Sequence, residues 1–289
     1  MSIKLQLDLF DKIVLPILLY GCEIWGYGNN QDLEKIHLRF CKVLLNLKQS
    51  TPSYMVYGEL GRHPVDIDIK IRIIMFWGRL LFDKTTKLSH IVYKLSYYLY
   101  SNQNIELKWI QNVKNILDSC GFSNIWDTQN FNNKIWLKTV IKQRLIDQFL
   151  QNWNSTVHDS PKSTCYRIFK TDCKFENYFD ILDVKDALTF CRFRTTNHKL
   201  PIETGRWQNI PRQDRLCLLC NENCIGDEYH YILECKFFKD MRKQLIPNTY
   251  ICRPNTLKFS SLFTSVRKPI LKKLCSFIKN INSNVIPPG

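Results

Sequence analysis

The chain has 289 residues, a formal net charge of +15 and a sequence pI near 9.3. Hydrophobic residues make up 45 %, enough for one or two packed domains, which excludes a wholly disordered chain. Twelve cysteines in so long a chain, with no signal-peptide pattern over Met1–Phe10, exclude a small secreted disulfide scaffold. They point to an intracellular protein, nuclear or cytoplasmic, with free thiols, some of them on a metal. The longest apolar run, from Ile13 to Cys22, is short of the ~20 residues that span a membrane and contains Pro16, so no membrane partner is expected.

The charge is uneven. Residues 236–289 carry eleven basic side chains against one acidic, Asp240, and so hold two-thirds of the excess. A basic segment of this kind attracts polyanions, nucleic acid first and acidic lipid second, or else serves as a solvated terminus.

In chain order the pattern is mainly helical. Leu33, Ile36, His37, Phe40, Val43, Leu44 and Leu47 recur at helical spacing behind Asn29 or Asn30 as N-cap. A Pro- and Gly-bearing loop follows from Gln49 to His63. Ile67, Ile71, Ile74, Gly78, Leu81 and Phe82 mark a second helix. A third is expected from about Asn133 to Trp153 and a fourth from about Val184 to Arg194. Residues 152–163 (NWNSTVHDSPKS) read as a polar linker. No strand alternation is sustained. Lys134, Lys138 and Lys142 share one face of the third helix, which could lie along a phosphate backbone but better suits a solvated helix face. Tyr97, Tyr98 and Tyr100 are better suited to packing than to stacking on bases.

The sharpest local signal is Cys217-x2-Cys220-x9-His230-x4-Cys235. Three thiolates and one imidazole are a common structural zinc set. The two-residue gap lets a tight knuckle grip one ion, and the His-x4-Cys spacing presents two more ligands from a short helix. Four protein ligands leave no open position, so one such ion would hold structure and not activate water. Cys224 could replace one of the four. Asp227 and Glu228 could orient the His230 ring or form a solvent-facing turn. The remaining cysteines, Cys22 included, read as buried thiols.

The stretches around this cluster resemble the region that follows the polymerase in LINE-type non-LTR retrotransposon reverse transcriptases. The likeness rests on Asn197-His198-Lys199-Leu200-Pro201-Ile202-Glu203-Thr204-Gly205-Arg206-Trp207, then Arg215, Cys217, Cys220, Asp227-Glu228-Tyr229-His230 and Cys235. Upstream it rests on Pro16-Ile17-Leu18-Leu19-Tyr20-Gly21-Cys22-Glu23-Ile24-Trp25-Gly26. It continues through Met55-Val56-Tyr57-Gly58-Glu59-Leu60-Gly61-Arg62 and Trp77-Gly78-Arg79-Leu80-Leu81. The resemblance implies a zinc-binding region that holds RNA or DNA, and a polymerase palm upstream of Met1.

Catalysis is not expected here. Nucleotidyl transfer needs paired carboxylates for two magnesium ions, and the chain has no Asp-Asp pair. Asp66 and Asp68 read as helix-start acids favoured by the dipole. No acidic residue follows Asp240, which removes a trailing nuclease. Neither a G-x-S-x-G elbow nor a phosphate-binding glycine loop is present.

The expected organisation is a mainly α protein. Residues 1–100 form a helical thumb-like segment, 101–195 a helical connector, 196–245 the CCHC zinc-binding region, and 246–289 a basic, loosely ordered tail. The expected function is nucleic-acid binding without catalysis. Lys236, Lys239, Arg242, Lys243, Arg267, Lys268, Lys272 and Lys273 are the phosphate-contact candidates. Arg206, Trp207, Arg212 and Arg215 either add contacts beside the knuckle or pack against the metal loop. The alternative is an interaction module that docks on a reverse transcriptase palm through the apolar segment 5–25, or a decayed element without function.

Overall fold

A computed structural model describes residues 1–83 and 85–285. Among them the chain is mainly helical and forms no strand, only two isolated bridges. Short helical segments occupy residues 3–25. The principal helices then follow as α1 (Gln31–Leu44), α2 (Ser53–Leu60), α3 (Val65–Phe82), α4 (Leu88–Asn102), α5 (Lys108–Ser119), α6 (Lys134–Asp159), α7 (Val184–Arg194), α8 (Pro201–Trp207), α9 (Lys239–Leu245), α10 (Thr256–Phe263) and α11 (Lys268–Asn284). They build two compact units. One comprises residues 9–37 and 63–152, the other residues 1–8, 38–62 and 153–289. Neither unit is a continuous stretch of chain.

The first unit packs around α3. Asp66 and Asp68 lie in its first turn, where the helix dipole favours acids. Glu34 completes that start, its carboxylate accepting the Val65 amide at 2.7 Å. Ile69, Ile73, Ile74 and Trp77 are fully buried. The Trp77 indole donates to Tyr93 Oη at 2.8 Å and stacks on Trp126. Gly78, unfavourable inside a helix, is required by Phe131, whose ring would lie 2.9 Å from any Cβ there. Tyr97 and Tyr100 pack edge-on against Trp126, whereas Tyr98 is exposed.

The second unit is organised by a buried ion pair. Arg194, at the end of α7, meets Glu59 on α2 through two hydrogen bonds, Nε to Oε2 at 3.0 Å and Nη2 to Oε1 at 3.1 Å. Its third nitrogen donates to Phe263 O at 2.9 Å. Tyr178 Oη donates to Glu59 at 2.6 Å, and Glu176 stands 3.2 Å from Arg194. Burial alone would raise the Glu59 carboxyl. The Arg194 guanidinium, with Lys170 behind it, outweighs burial and holds that carboxyl below its ordinary value. Around the pair lie Phe169, Phe190, Phe259 and Phe263.

Three sequence expectations are corrected here. The stretch from Gln49 to His63 is not a loop throughout, because Ser53–Leu60 forms helix α2 with Met55, Val56, Tyr57 and Leu60 buried. Residues 152–163 are not a linker. Helix α6 continues to Asp159, Trp153 and Val157 are buried, and the Trp153 indole donates to Tyr54 O at 2.8 Å. Nor is the segment after 246 loosely ordered. Leu271, Leu274, Cys275, Phe277, Ile278 and Ile281 form one buried face of α11, which packs on α7 and α9. The charge excess stands on the opposite face and in the flanking loops. Residues 286–289 of the expected tail lie outside the described residues.

Breaking the pair from one side leaves an uncompensated buried charge. Arg194→Leu is expected to lower unfolding free energy by about 3–5 kcal/mol, measured by urea denaturation. The stability linked to Glu59 is complete above its unfolded value of ~4.3 and is lost as pH falls through the lowered folded value. Acid titration of wild type should therefore show a loss below that pH that Glu59→Gln lacks. Gly61 has φ +60°, and a Cβ there would meet Phe175 N at 2.3 Å. Gly61→Ala is expected to destabilise by more than ~1 kcal/mol, measured the same way.

Candidate metal centre

The knuckle is built from a short antiparallel turn. Leu216 bridges Ile225, Cys217 N donates to Cys224 O at 2.8 Å, and Gly226 N donates to Arg215 O at 2.8 Å. Gly226 is needed because a Cβ would press on the Pro201 ring at 2.8 Å. Leu219 N points at Cys217 Sγ at 3.5 Å, a backbone amide directed at the sulfur.

The other two ligands come from a π-helical turn, His230–Glu234. Its wide repeat fits the four-residue gap, with Cys235 N donating to His230 O at 2.8 Å. Asp227 accepts the His230 amide at 2.9 Å and starts the turn. Cys217, Cys220, His230 and Cys235 are all buried, and their ligand atoms lie within 4.8 Å of one another. Cys217 Sγ is 3.8 Å from Cys235 Sγ, and Cys220 Sγ is 3.4 Å from His230 Nε2. The set could hold a metal ion.

Electrostatics agree with that donor set. The contact between the two sulfurs holds the Cys217 thiol down at about 3 and pushes Cys235 upward. A thiolate favoured inside a buried Cys/His cluster is a position beside which a cation can sit. Cys224 stands outside the group, half-exposed, with its sulfur against Glu222 O at 3.5 Å.

Neither acid expected to orient the ring does so. Glu228 pairs with His198 at 2.9 Å, and Asp227 serves the backbone. The nearest carboxylate to His230 Nδ1 is Glu234 at 3.8 Å, one turn onward. The His198–Glu228 pair is a buried bond between the two halves of the Asn197–His230 motif. Leu200 N faces His198 Nδ1, which assigns the ring proton to Nε2 toward Glu228. No local spacing in the sequence announces this pair, because its members are 30 residues apart.

The phosphate-contact candidates divide. Arg242 is buried and donates to Ile232 O, Tyr231 O and Cys235 O, so it braces the π-turn and faces no solvent. Arg215 packs under Gly205 and donates to Ile210 O and Ile202 O. Arg206 pairs with Glu203 at 3.1 Å. Arg212 donates to Thr164 and approaches Asp227 at 3.7 Å. Lys236 pairs with Glu222 at 2.7 Å. Lys239, Lys243, Arg267, Lys268, Lys272 and Lys273 are exposed. Trp207 is 55 % exposed.

Equilibrium dialysis with Zn²⁺ or Co²⁺ is expected to give one ion per chain. Cys235→Ser should abolish most of that uptake, while Cys224→Ser should leave it intact. Stripping the ion should lower the unfolding temperature, because binding here is folding energy. No protein-family model, curated protein or solved structure matches the chain.

Proposed function

We propose that the chain is the non-catalytic, nucleic-acid-binding C-terminal portion of a LINE-type reverse transcriptase, held by one structural zinc ion. The observation that carries the reading is the convergence of Cys217, Cys220, His230 and Cys235 inside the stretch whose sequence resembles that region. Zinc at ~2.3 Å from sulfur and ~2.0 Å from nitrogen would put tetrahedral neighbours about 3.5–3.8 Å apart. The separations of 3.4 Å and 3.8 Å fit that geometry. The exposed lysines of α9 and α11, with Arg267 just before α11, support contact with phosphates. RNA or DNA is the partner, in the nucleus or cytoplasm.

A second reading keeps the zinc but makes a protein the partner. It is favoured by an apolar groove of about 970 Å³ in the unit built on α3. Ile24, Trp25, Tyr27, Leu88 and Val92 line it and are exposed. Exposed apolar surface on this scale commonly marks an interaction site, and a reverse transcriptase palm would be its occupant.

Fluorescence anisotropy of labelled RNA and DNA, with and without a strong zinc chelator, separates the two. Nucleic-acid binding should weaken steeply with salt, as contacted phosphates release counterions, and should fall on chelation. No binding at low salt would overturn the first reading in favour of the second.

A further inference from the structure

A concave site distinct from the metal centre lies where the loop after α1 meets α7, the α7–α8 connection and α11. Its volume is about 370 Å³, and its lining includes Lys48, Arg192, Asn197, Lys199, Lys279 and Ser283, with no acidic side chain. Lys279 is neutralised by Asp186 at 2.6 Å. Lys48, Arg192 and Lys199 are exposed and form no ion pair among the described residues. Three uncompensated cations therefore share one concavity. Burial lowers the Lys48 ammonium. Lys162, Arg192 and Lys199 push it down further, against the opposing pull of Glu203.

The site is held by buried structure. Asn197 Oδ1 accepts Lys48 N and Thr51 Oγ1, each at 3.0 Å, and Asn197 Nδ2 donates to Thr195 O at 2.9 Å. Asn197 thus clamps the loop that carries Lys48 against the end of α7. Thr196, the residue before Asn197, takes the left-handed conformation at φ 58°, a backbone state uncommon for a β-branched residue. Lys48 Nζ also stands 4.1 Å from the centroid of the Trp207 ring. An exposed indole is thereby fixed beside the cations.

We infer that this pocket takes a backbone phosphate of single-stranded nucleic acid, with Lys48, Arg192 and Lys199 as the phosphate ligands and Trp207 as the platform for the adjoining base. Cations alone would accept any anion. The neighbouring indole selects a ligand that carries an aromatic face next to its phosphate, and only an unpaired base can stack on it. The inference rests on the nucleic-acid reading above and assigns residues to it that lie away from the basic C-terminal helices.

The test uses the full chain and a labelled mixed-sequence single-stranded oligonucleotide of about twelve nucleotides, read by anisotropy across a salt series. Arg192→Glu/Lys199→Glu is expected to weaken binding about tenfold or more and to flatten the salt slope by about one unit. The charge-matched control Lys4→Glu/Lys12→Glu alters exposed lysines elsewhere and should change affinity by less than about threefold. Trp207→Ala should weaken single-strand binding about fivefold or more and leave duplex binding unchanged. Thermal unfolding of each variant should match wild type, since all substituted side chains are at the surface. If the pocket variant binds no worse than the control while wild type binds well, the pocket assignment falls and the general reading stands. If wild type binds no oligonucleotide at low salt, both fall.

Discussion

The unit that carries the Cys/His cluster depends on the Glu59–Arg194 pair. Neither side chain has access to water, so neither charge is tolerable without the other. The two residues are 135 positions apart, and their bond ties α2 to the end of α7. Arg194 then extends the tie to α10 through Phe263 O, and Tyr178 and Glu176 close the remaining sides. The aromatic rings of Phe169, Tyr178 and Phe190 lie against the guanidinium. They supply the apolar packing that excludes water and strengthens the pair.

A chain of smaller buried contacts leads from that pair to the Cys/His cluster. Asn197, three residues after Arg194, clamps the loop at Lys48. His198 binds Glu228, two residues before His230. Gly205 allows Arg215 to pass beneath α8, two residues before Cys217. Arg242 caps the carbonyls of the π-turn from below. The knuckle itself has too few apolar residues for a core of its own, so its shape is imposed by these neighbours and by the donor set. Several polar residues that look functional in the sequence are thus framework. Arg242 and Arg215 serve carbonyls, and Glu228 serves a histidine outside the ligand set.

The Cys/His cluster was legible because its spacings are local. Those spacings encode a knuckle and a turn, and both are present. The helices from Gln31, Val65 and Val184 were legible for the same reason, through apolar periodicity and acids in the first turn. Asn29, expected as a cap, does accept the Gln31 amide at 3.0 Å. Two of the misreadings have a common cause. Residues 152–163 and 246–285 are rich in polar and basic side chains, and average composition obscured their apolar stripes. Trp153 and Val157 are one turn apart. Leu271, Leu274, Ile278 and Ile281 follow a helical repeat that the lysines between them disguise.

The amino-acid sequence by itself determined the helical class, the spacing of a Cys/His cluster that could hold a metal ion and the excess of positive charge. Each is a property of neighbours in the chain or of the chain's totals. Only the tertiary structure decided which charges are paired, buried or open. The Glu59–Arg194 and His198–Glu228 bonds join distant segments, and no local pattern marks them. The same holds for Lys48, Arg192 and Lys199, which gather in one concavity because Asn197 ties their segments together. Burial sets the physical difference between these groups. An arginine enclosed by carbonyls is framework, and one facing water without a carboxylate is free to bind an anion.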